Sequence, residues 1–521
     1  MSLRDRYRIL LRWCLRHRSL VVIIAFGLFL ASIWSVSLLG REFMPPSDIP
    51  VLSLQVSMPV GTSLEETDSV VRSLEKIILE QPETRFCASF VGLSQESKID
   101  AAWGTGPTGV NEATVYVRLV DKELRVRSTE EIADSFRRRL PVIEGATFEF
   151  FDMQQVFTGG AGGTSPVEIK VFGPDLKVLQ SISDTIAQDI VSVEGLRDIE
   201  TTLEMGKPEW QVHIDREKAS QAGLTVSQIA QSVRAGLMGV VSTRYRVEGD
   251  EYDIRVRYRE WDRKSKEDVE LITIVSPRGD HVPLYQVAAV EEGAGPVTIT
   301  REDQERKVSV KGNTYQRDVG SIMEDIMQQT AHIELPPGYF VEYGGTFKDM
   351  QEAFVTLFQA LLVALLLIYM IMAAQFESLR HPFVIMVTVP LSFIGVVVGL
   401  FAFGKTLSVP AFMGILILAG VVVNNGIVMV DYINRLRRRG TDPFEAILQG
   451  ASVRLRPVLI TTFTTVFGML PMALSRTQGS ELRSPMAITV AFGLLFSMTL
   501  TLLVIPVMYA IVDRIKERKT S

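Results

Sequence analysis

The segment AFMGILILAGVVVNNGIVMVDYINRLRRRG, residues 411–440, is almost wholly apolar over its first half and ends in a cluster of arginines. At 1.5 Å per residue, its apolar part is long enough to cross a bilayer as one helix. Two adjacent amides, Asn424 and Asn425, fall near the middle of that span, and the carboxylate Asp431 follows them. Because polar side chains are uncommon at mid-bilayer, the segment predicts a membrane protein with a packed polar interior or an ion pathway.

Further apolar segments of similar length lie elsewhere in the chain. It has 521 residues, 47% of them apolar and 22% charged. Apolar runs of membrane-spanning length lie at roughly 19–39, 354–374, 383–403, 409–433, 457–475 and 486–512. Between the first two lies a long region of ordinary globular composition. The sequence predicts one helix, retained as an anchor because no cleavage site follows it, then a large extramembrane domain and five helices.

The lysines and arginines of the short flanking segments indicate the orientation of the chain. Seventeen of them fall on the side that holds both termini, against three on the opposite side, Lys405, Arg476 and Arg483. We therefore expect both termini in the cytoplasm and residues 41–350 outside it. The net charge of the chain is −6 although these flanking segments are basic, so the outer domain carries an excess of acidic residues. That excess disfavours nucleic acid and mildly favours cationic or neutral cargo.

The outer region alternates strands and helices. Two strand–helix–strand units precede a glycine-rich linker at residues 158–166, and the first helix begins with a predicted capping box, Ser63 and Glu66. A third unit follows the linker, and the segments that complete it come only after an insertion at about 207–292. The pattern predicts an α+β exterior of two related split βαβ subdomains, the second interrupted by a third.

Signatures of catalysis are weak. The glycines within residues 104–109 match GxGxxG, but a proline interrupts them and a strand follows where a dinucleotide site needs a helix. The histidines are scattered, and Cys14 and Cys87 are expected on opposite sides of the membrane. We predict that the chain is not an enzyme and that it holds no cofactor or metal.

The polar residues of the fourth and fifth helices are the candidate functional residues. Asn424 and Asp431 share one helix face and Asn425 is turned about 100° from it. The amides either bond to neighbouring helices or belong to a network linked to ion movement, whereas Asp431 beside the arginines is predicted to be an interfacial carboxylate. Threonines 461, 462, 464 and 465 often bond to their own backbone in such helices, but their density predicts a polar network. The predicted supporting network is Asn424, Asn425, Asp431, Thr461, Thr462 and Thr465.

Over essentially its whole length the sequence resembles one repeat of the resistance-nodulation-division (RND) exporters, particularly their hydrophobe/amphiphile efflux branch. The matching motifs are GREFMPPSD, AAQFESLRHPFVIMVTVPLSFIG, GVVVNNGIVMVDYINRLRRRG and RLRPVLITTFTTVFGMLP. The resemblance implies a multi-pass protein of a prokaryotic inner membrane, forming trimers, driven by the proton gradient without a cofactor and joined by a periplasmic adaptor and an outer-membrane channel. It also implies this domain order: residues 1–40 with the first helix, porter subdomains at 41–155 and at 156–206 plus 293–345, a docking subdomain at 207–292, and helices two to six with the cytoplasmic tail at 346–521.

Two departures from the family narrow this interpretation. RND exporters usually carry two repeats, and this chain has one. The fourth helix of their amino-terminal repeat normally has an Asp-Asp pair, and this chain has Asn424 and Asn425 at the matching positions. An amide has no pKa in the accessible range and cannot carry protons, whereas a buried carboxylate can. We therefore expect a carboxy-terminal half that needs a complementary Asp-bearing amino-terminal half. The alternatives are a self-sufficient homo-oligomer that uses Asp431 or no proton, and a SecD/SecF-like export accessory protein.

Few residues of the sequence indicate which cargo is transported. The resemblance places a porter cleft between the first two subdomains, with Phe90 and the loop to Trp103 as candidate lining residues, although Phe90 also suits a plain core position. A metal-exporting branch calls for clustered methionines, and those of the porter region are dispersed: Met44, Met58, Met153 and Met205. We expect hydrophobic or amphiphilic small molecules.

Overall fold

The computed structural model describes residues 3–46, 48–59, 61–92, 109–141, 143–152, 165–203, 207–295 and 299–514. The chain divides into two compact units, Met1–Thr202 with Thr300–Ser521, and Leu203–Ile299. Before the insertion the helices are α1 (Leu3–Arg16), α2 (Arg18–Val36), α3 (Leu64–Leu79), α4 (Thr129–Arg137) and α5 (Leu176–Ile190). Within it they are α6 (Arg216–Gln221), α7 (Val226–Leu237) and α8 (Lys266–Glu270). After it come α9 (Val319–Thr330), α10 (Thr346–Phe376), α11 (Arg380–Met386), α12 (Thr388–Ala402), α13 (Val409–Arg438), α14 (Pro443–Leu474) and α15 (Ser480–Val512).

The strands form separate small sheets. Before the insertion they are β1 (Arg41–Glu42), β2 (Val51–Ser57), β3 (Thr84–Val91), β4 (Glu112–Leu119), β5 (Thr147–Asp152), β6 (Val167–Phe172) and β7 (Leu196–Thr201). Within it they are β8 (Lys207–Ile214), β9 (Val240–Val247), β10 (Asp250–Val256), β11 (Thr273–Val275), β12 (His281–Pro283) and β13 (Ala288–Gly295). After it come β14 (Thr300–Glu302), β15 (Glu305–Thr314), β16 (Phe340–Gly344) and β17 (Leu407–Ser408).

The first outer sheet has the order β3-β4-β2-β5 with antiparallel pairs throughout. Alternating apolar residues of β2 and β4 and the apolar stripes of α3 and α4 form one core, in which Leu54, Val115 and Phe136 are fully buried. Of the predicted capping box, one half is present: the Ser63 hydroxyl accepts from the Glu66 amide at 3.2 Å. This subdomain is therefore built by strand alternation and helix amphipathicity together.

The second outer sheet joins segments from both sides of the insertion. Its order is β14-β15-β6-β16, with β7 also paired to β15, and all of these pairs are antiparallel. Strand β6, from before the insertion, thus pairs with β15 and β16 from after it. The predicted subdomain boundaries are finer than the division into two units and stay predictions.

The inserted unit has its own core, which includes the buried side chains of Leu224, Ile229 and Leu284. Strand β8 pairs with β13 and β11 with β12. The hairpin β9–β10 differs from the rest, because every residue of both strands is exposed.

Among the residues that the structure describes, six helical segments are long and apolar enough to cross a membrane: α2, α10, α11 with α12, α13, α14 and α15. Glycines allow three of them to approach closely. A Cβ on Gly395 of α12 would lie 2.4 Å from the Phe492 carbonyl oxygen, and one on Gly493 of α15 would lie 2.2 Å from Leu418 of α13. A Cβ on Gly399 of α12 would lie 2.6 Å from the Phe492 side chain, and α15 lies against both neighbours.

A carboxyl pair lies where the two outer sheets meet. Glu149 on β5, which is only 9% exposed, shares a hydrogen bond with Glu200 on β7. Burial, followed by the charge of Glu200 and the hydrogen bond to it, raises the pKa of Glu149 to about 9; Asp198 adds to the effect and Lys311 opposes it. Glu149 is therefore protonated at neutral pH.

This raised pKa predicts a stability that falls as pH rises. Unfolded Glu149 loses its proton near its ordinary value, so the native state is most favoured below that value and loses the advantage up to about pH 9. Glu149→Gln keeps a donor without a charge, and we expect it to stabilise the protein by on the order of 2 kcal/mol at pH 8. Thermal unfolding of the purified chain from pH 5 to 9 measures the difference.

The matched control is Glu144→Gln, an exposed glutamate of the preceding turn. It should retain the wild-type pH dependence. Equal pH dependence in Glu149→Gln and wild type would contradict the shared-proton assignment.

Candidate functional site

One of the two amides, Asn425, contacts the neighbouring helix. Asn425 of α13 is half-buried, and its Nδ2 donates to the Thr462 hydroxyl of α14 at 3.5 Å. The Thr461 hydroxyl lies 3.4 Å from the Asn425 Oδ1. Both distances are at the long limit for hydrogen bonds, so each contact is weak alone. Together they fix the orientation of the amide, with its NH₂ toward Thr462 and its oxygen toward Thr461.

The threonines divide their hydrogen bonds between this amide and their own helix. The Thr461 hydroxyl also lies 3.1 Å from the carbonyl oxygens of Pro457 and Val458, and Thr465 donates to the Thr461 carbonyl at 3.0 Å. A hydroxyl has one proton to donate, so Thr461 shares it among three acceptors. Thr462 is fully buried and Thr461 is exposed. The amide therefore bridges an interior hydroxyl and one at the edge of the bundle.

The second amide lies on the outside. Asn424 is exposed, at the end of an exposed stripe of α13, and exposed residues of α14 lie around Thr461, which contacts Asn425. We call this surface the open face. Its residues are Met413, Ile417, Gly420, Val421 and Asn424 of α13, and Ile460, Thr461, Phe463, Thr464, Phe467 and Gly468 of α14. Within the described part of the chain, a Cβ on Gly420 or Gly468 would meet no atom within 4 Å. The open face is thus apolar with a polar centre and has room for close approach of another helix.

Asp431 lies apart from this network. It pairs with Arg435 one turn later, Oδ2 to Nη2 at 2.8 Å, and the two side chains are 39% and 67% exposed. Its predicted interfacial position stays a prediction. The predicted network thus separates into Asn425 with three threonines, the exposed Asn424, and a distant ion pair; its part in proton movement stays a prediction.

A cleft of about 750 Å³ lies between the two outer sheets. Its lining combines apolar and charged side chains, among them Phe43, Met44, Phe150, Tyr315, Arg137 and Arg197. Asp48 also lines it: burial alone would raise the pKa of this carboxyl, but hydrogen bonds from Thr129 and Arg125 outweigh burial and lower the pKa. The cleft therefore presents fixed charges beside aromatic rings.

The predicted cargo residues are elsewhere. Phe90 lies half-buried on β3 with its ring edge-on to Tyr116 at 5.9 Å, at the opposite edge of the first sheet from β5. Phe90 is outside the cleft lining, and Trp103 falls outside the described residues. Their part in a cargo path stays a prediction.

The charged residues of the cleft have no recognisable signal in the sequence. The Arg197 guanidinium stacks 3.4 Å from the centroid of the Tyr315 ring and pairs with Asp134 at 2.6 Å. These residues come from three separate segments, so no local spacing could have indicated them.

Comparisons with known proteins agree on one family. The family model described as the AcrB/AcrD/AcrF family matches residues 1–513. The chain is 29% identical over 520 residues to the cobalt-zinc-cadmium resistance protein CzcA of Cupriavidus metallidurans, covering 98% of this chain and 48% of that protein. It is 26% identical over 515 residues to the multidrug resistance protein MdtC of Klebsiella pneumoniae, with the same two shares. The chain spans about half the length of the curated relatives it matches.

A solved structure shares the fold. A crystal structure of a heavy metal efflux pump matches with a TM-score of 0.81 and 27% identity, covering 98% of this chain and 52% of that chain.

The Asn425–Thr462 contact predicts a small stability effect. Thr462→Val removes the hydroxyl that the amide reaches while keeping the side-chain shape, and we expect it to destabilise the chain by about 0.6 kcal/mol, the average for interhelical hydrogen bonds in membranes. Unfolding in mixed micelles measures this value. Thr464→Val, on the exposed side of the same helix, is the control and should change stability less. A larger loss for Thr464→Val would contradict the assignment.

Proposed function

The chain belongs to the AcrB/AcrD/AcrF family, and from this membership we propose that it is a half-size component of a proton-driven RND efflux transporter. In this proposal it corresponds to a carboxy-terminal repeat of the longer relatives. It lies in a prokaryotic inner membrane with both termini cytoplasmic and its sheets outside. The single observation that carries the proposal is the polar centre of the open face.

Lipid cannot cover that centre well. Asn424, Thr461 and Thr464 lie within helices apolar enough to span a membrane, where lipid tails offer no hydrogen-bond partner. Polar groups at such depth pair with other helices. The space beside Gly420 and Gly468 supports close packing of a partner. We infer that the open face is completed by transmembrane helices of a complementary half.

The partner must supply the titrating groups. Asn424 and Asn425 cannot exchange a proton, and Asp431 is held in an ion pair two turns away. A proton crossing ~100 mV releases about 2.3 kcal/mol, but only a group that binds and releases it can use that energy. An Asp pair on the partner, opposite the open face, would be that group, with Asn425 and the threonines orienting it.

The mixed lining of the cleft supports amphiphilic cargo. Aromatic rings suit apolar bodies, and fixed charges suit polar ends of either sign. Divalent cations are the second candidate, because CzcA is named for resistance to cobalt, zinc and cadmium. Met44 lines the cleft, whereas Met58 is buried in the core of the first subdomain.

The exposed hairpin β9–β10 supports assembly with further copies. An isolated two-stranded hairpin is marginally stable in water, and this one exposes Tyr245 and Tyr252 across from one another. Packing against a neighbouring subunit would stabilise it, as in a trimer. An adaptor and an outer-membrane channel complete the proposed assembly.

The proposal predicts that the chain alone does not couple protons to export. In proteoliposomes with trapped pyranine and an acid interior, adding ethidium or Cd²⁺ should dissipate the pH gradient no faster than in empty liposomes. Co-reconstitution with a half-size family member that bears the Asp pair should restore cargo-dependent proton release.

Cargo-dependent proton flux by the chain alone would contradict the proposal. In that case Asp431→Asn distinguishes the causes, because loss of flux in this variant would assign coupling to Asp431 in a homo-oligomer.

A further inference from the structure

Helix α1 leads directly into the first membrane-spanning helix and is itself amphipathic. Tyr7, Leu11, Cys14 and Leu15 are buried in the core of the helical bundle. The Tyr7 hydroxyl donates to the Leu502 carbonyl of α15 at 2.7 Å. Only His17 separates α1 from α2. Because α2 begins at Arg18, α1 is held at the level where the apolar part of the bundle begins.

The outer surface of α1 carries a column of arginines. Arg4, Arg8, Arg12 and Arg16 recur at every fourth residue, and all are exposed. Like charges at this spacing destabilise a helix. Glu445 at the start of α14 pairs with Arg8 at 2.7 Å and with Arg12 at 3.4 Å. One carboxylate thus meets two guanidinium groups, so Arg8 and Arg12 together keep one positive charge in excess of Glu445, which an anion would offset.

Apolar side chains stand beside this column. Ile9, Leu10 and Trp13 are exposed, and the Trp13 ring stacks on His17 at 4.8 Å. A groove of about 540 Å³ runs along the helix, and its lining residues are Asp5, Arg8, Ile9, Arg12, Trp13, Arg16 and His17. Guanidinium forks and a tryptophan therefore line one surface at the edge of the bundle.

We propose that this groove binds the headgroup of an anionic phospholipid. Arginine forks match phosphate oxygens in a bidentate manner, and tryptophan suits the glycerol region between headgroup and tails. Basic residues on an amphipathic helix next to a membrane span are attracted to anionic lipid. A soluble phosphate would satisfy the arginines and leave Ile9 and Trp13 uncovered. The inference requires that α2 lies in a bilayer and is independent of transport.

Trp13 allows a direct test. In the Trp34→Phe background, which removes the other tryptophan of α1 and α2, the full chain is reconstituted in vesicles containing brominated phosphatidylglycerol or brominated phosphatidylcholine. Bromine quenches tryptophan fluorescence only at close range. We expect the relative binding constant at Trp13 to favour phosphatidylglycerol about tenfold, and Arg8→Gln with Arg12→Gln to bring it within about twofold of unity.

The matched control is Arg438→Gln with Arg439→Gln. These exposed arginines end α13, just before α14 and Glu445, and removing them subtracts the same charge from the same end of the bundle. The phosphatidylglycerol preference should survive in this variant.

Three results would overturn the proposal. Equal quenching by the two lipids in the Trp34→Phe chain would exclude selective binding. Equal loss in both double-arginine variants would assign the preference to general surface charge. Abolition of the preference by inorganic phosphate, but not by chloride of equal ionic strength, would assign the groove to a soluble anion.

Discussion

A hydrogen-bonding side chain inside a bilayer must find its partner on protein, because lipid tails offer none. This requirement explains the difference between two adjacent amides of α13. Asn425 finds Thr461 and Thr462 on α14, whereas Asn424 is exposed at the surface of the bundle. The chain itself supplies hydrogen-bond partners for Asn425. In the proposed assembly, a second half supplies those for Asn424 and contributes the groups that titrate.

The outer sheets are tied to the helical bundle at separate points, so movement in the bundle has defined routes outward. The second subdomain is joined where Asp318, the N-cap of α9, accepts from the Arg41 amide of β1, and β1 in turn pairs with β17 just before α13. The first is joined by an ion pair between Lys122 and Glu481 at the start of α15. The cleft lies between these two subdomains. In the proposed transporter, shifts of α13 and α15 would therefore act on opposite walls of the cleft.

The sequence predicted the elements better than their limits and contacts. Apolar runs located the long helices, but α14 begins at Pro443 and continues through Pro457, where the predicted run starts. Proline is tolerated there because neighbouring helices and hydroxyls satisfy freed backbone groups. Helical geometry placed Asn424 and Asn425 on different faces, yet only packing decides which face is interior. The Glu149–Glu200 pair and the Arg197–Tyr315 stack join residues from different subdomains or segments, so no local pattern indicated them.

The central claim is that another polypeptide covers the open face, and the most direct test identifies the neighbour of Asn424. A photo-crosslinking residue is placed at position 424 of the full chain in its native membrane, and at Phe26 of α2, an exposed apolar position, for comparison. The account predicts that position 424 crosslinks to a different protein with an Asp pair on its fourth membrane helix, and that position 26 does not. Crosslinking of position 424 only to lipid, or only to a second copy of this chain, would contradict it.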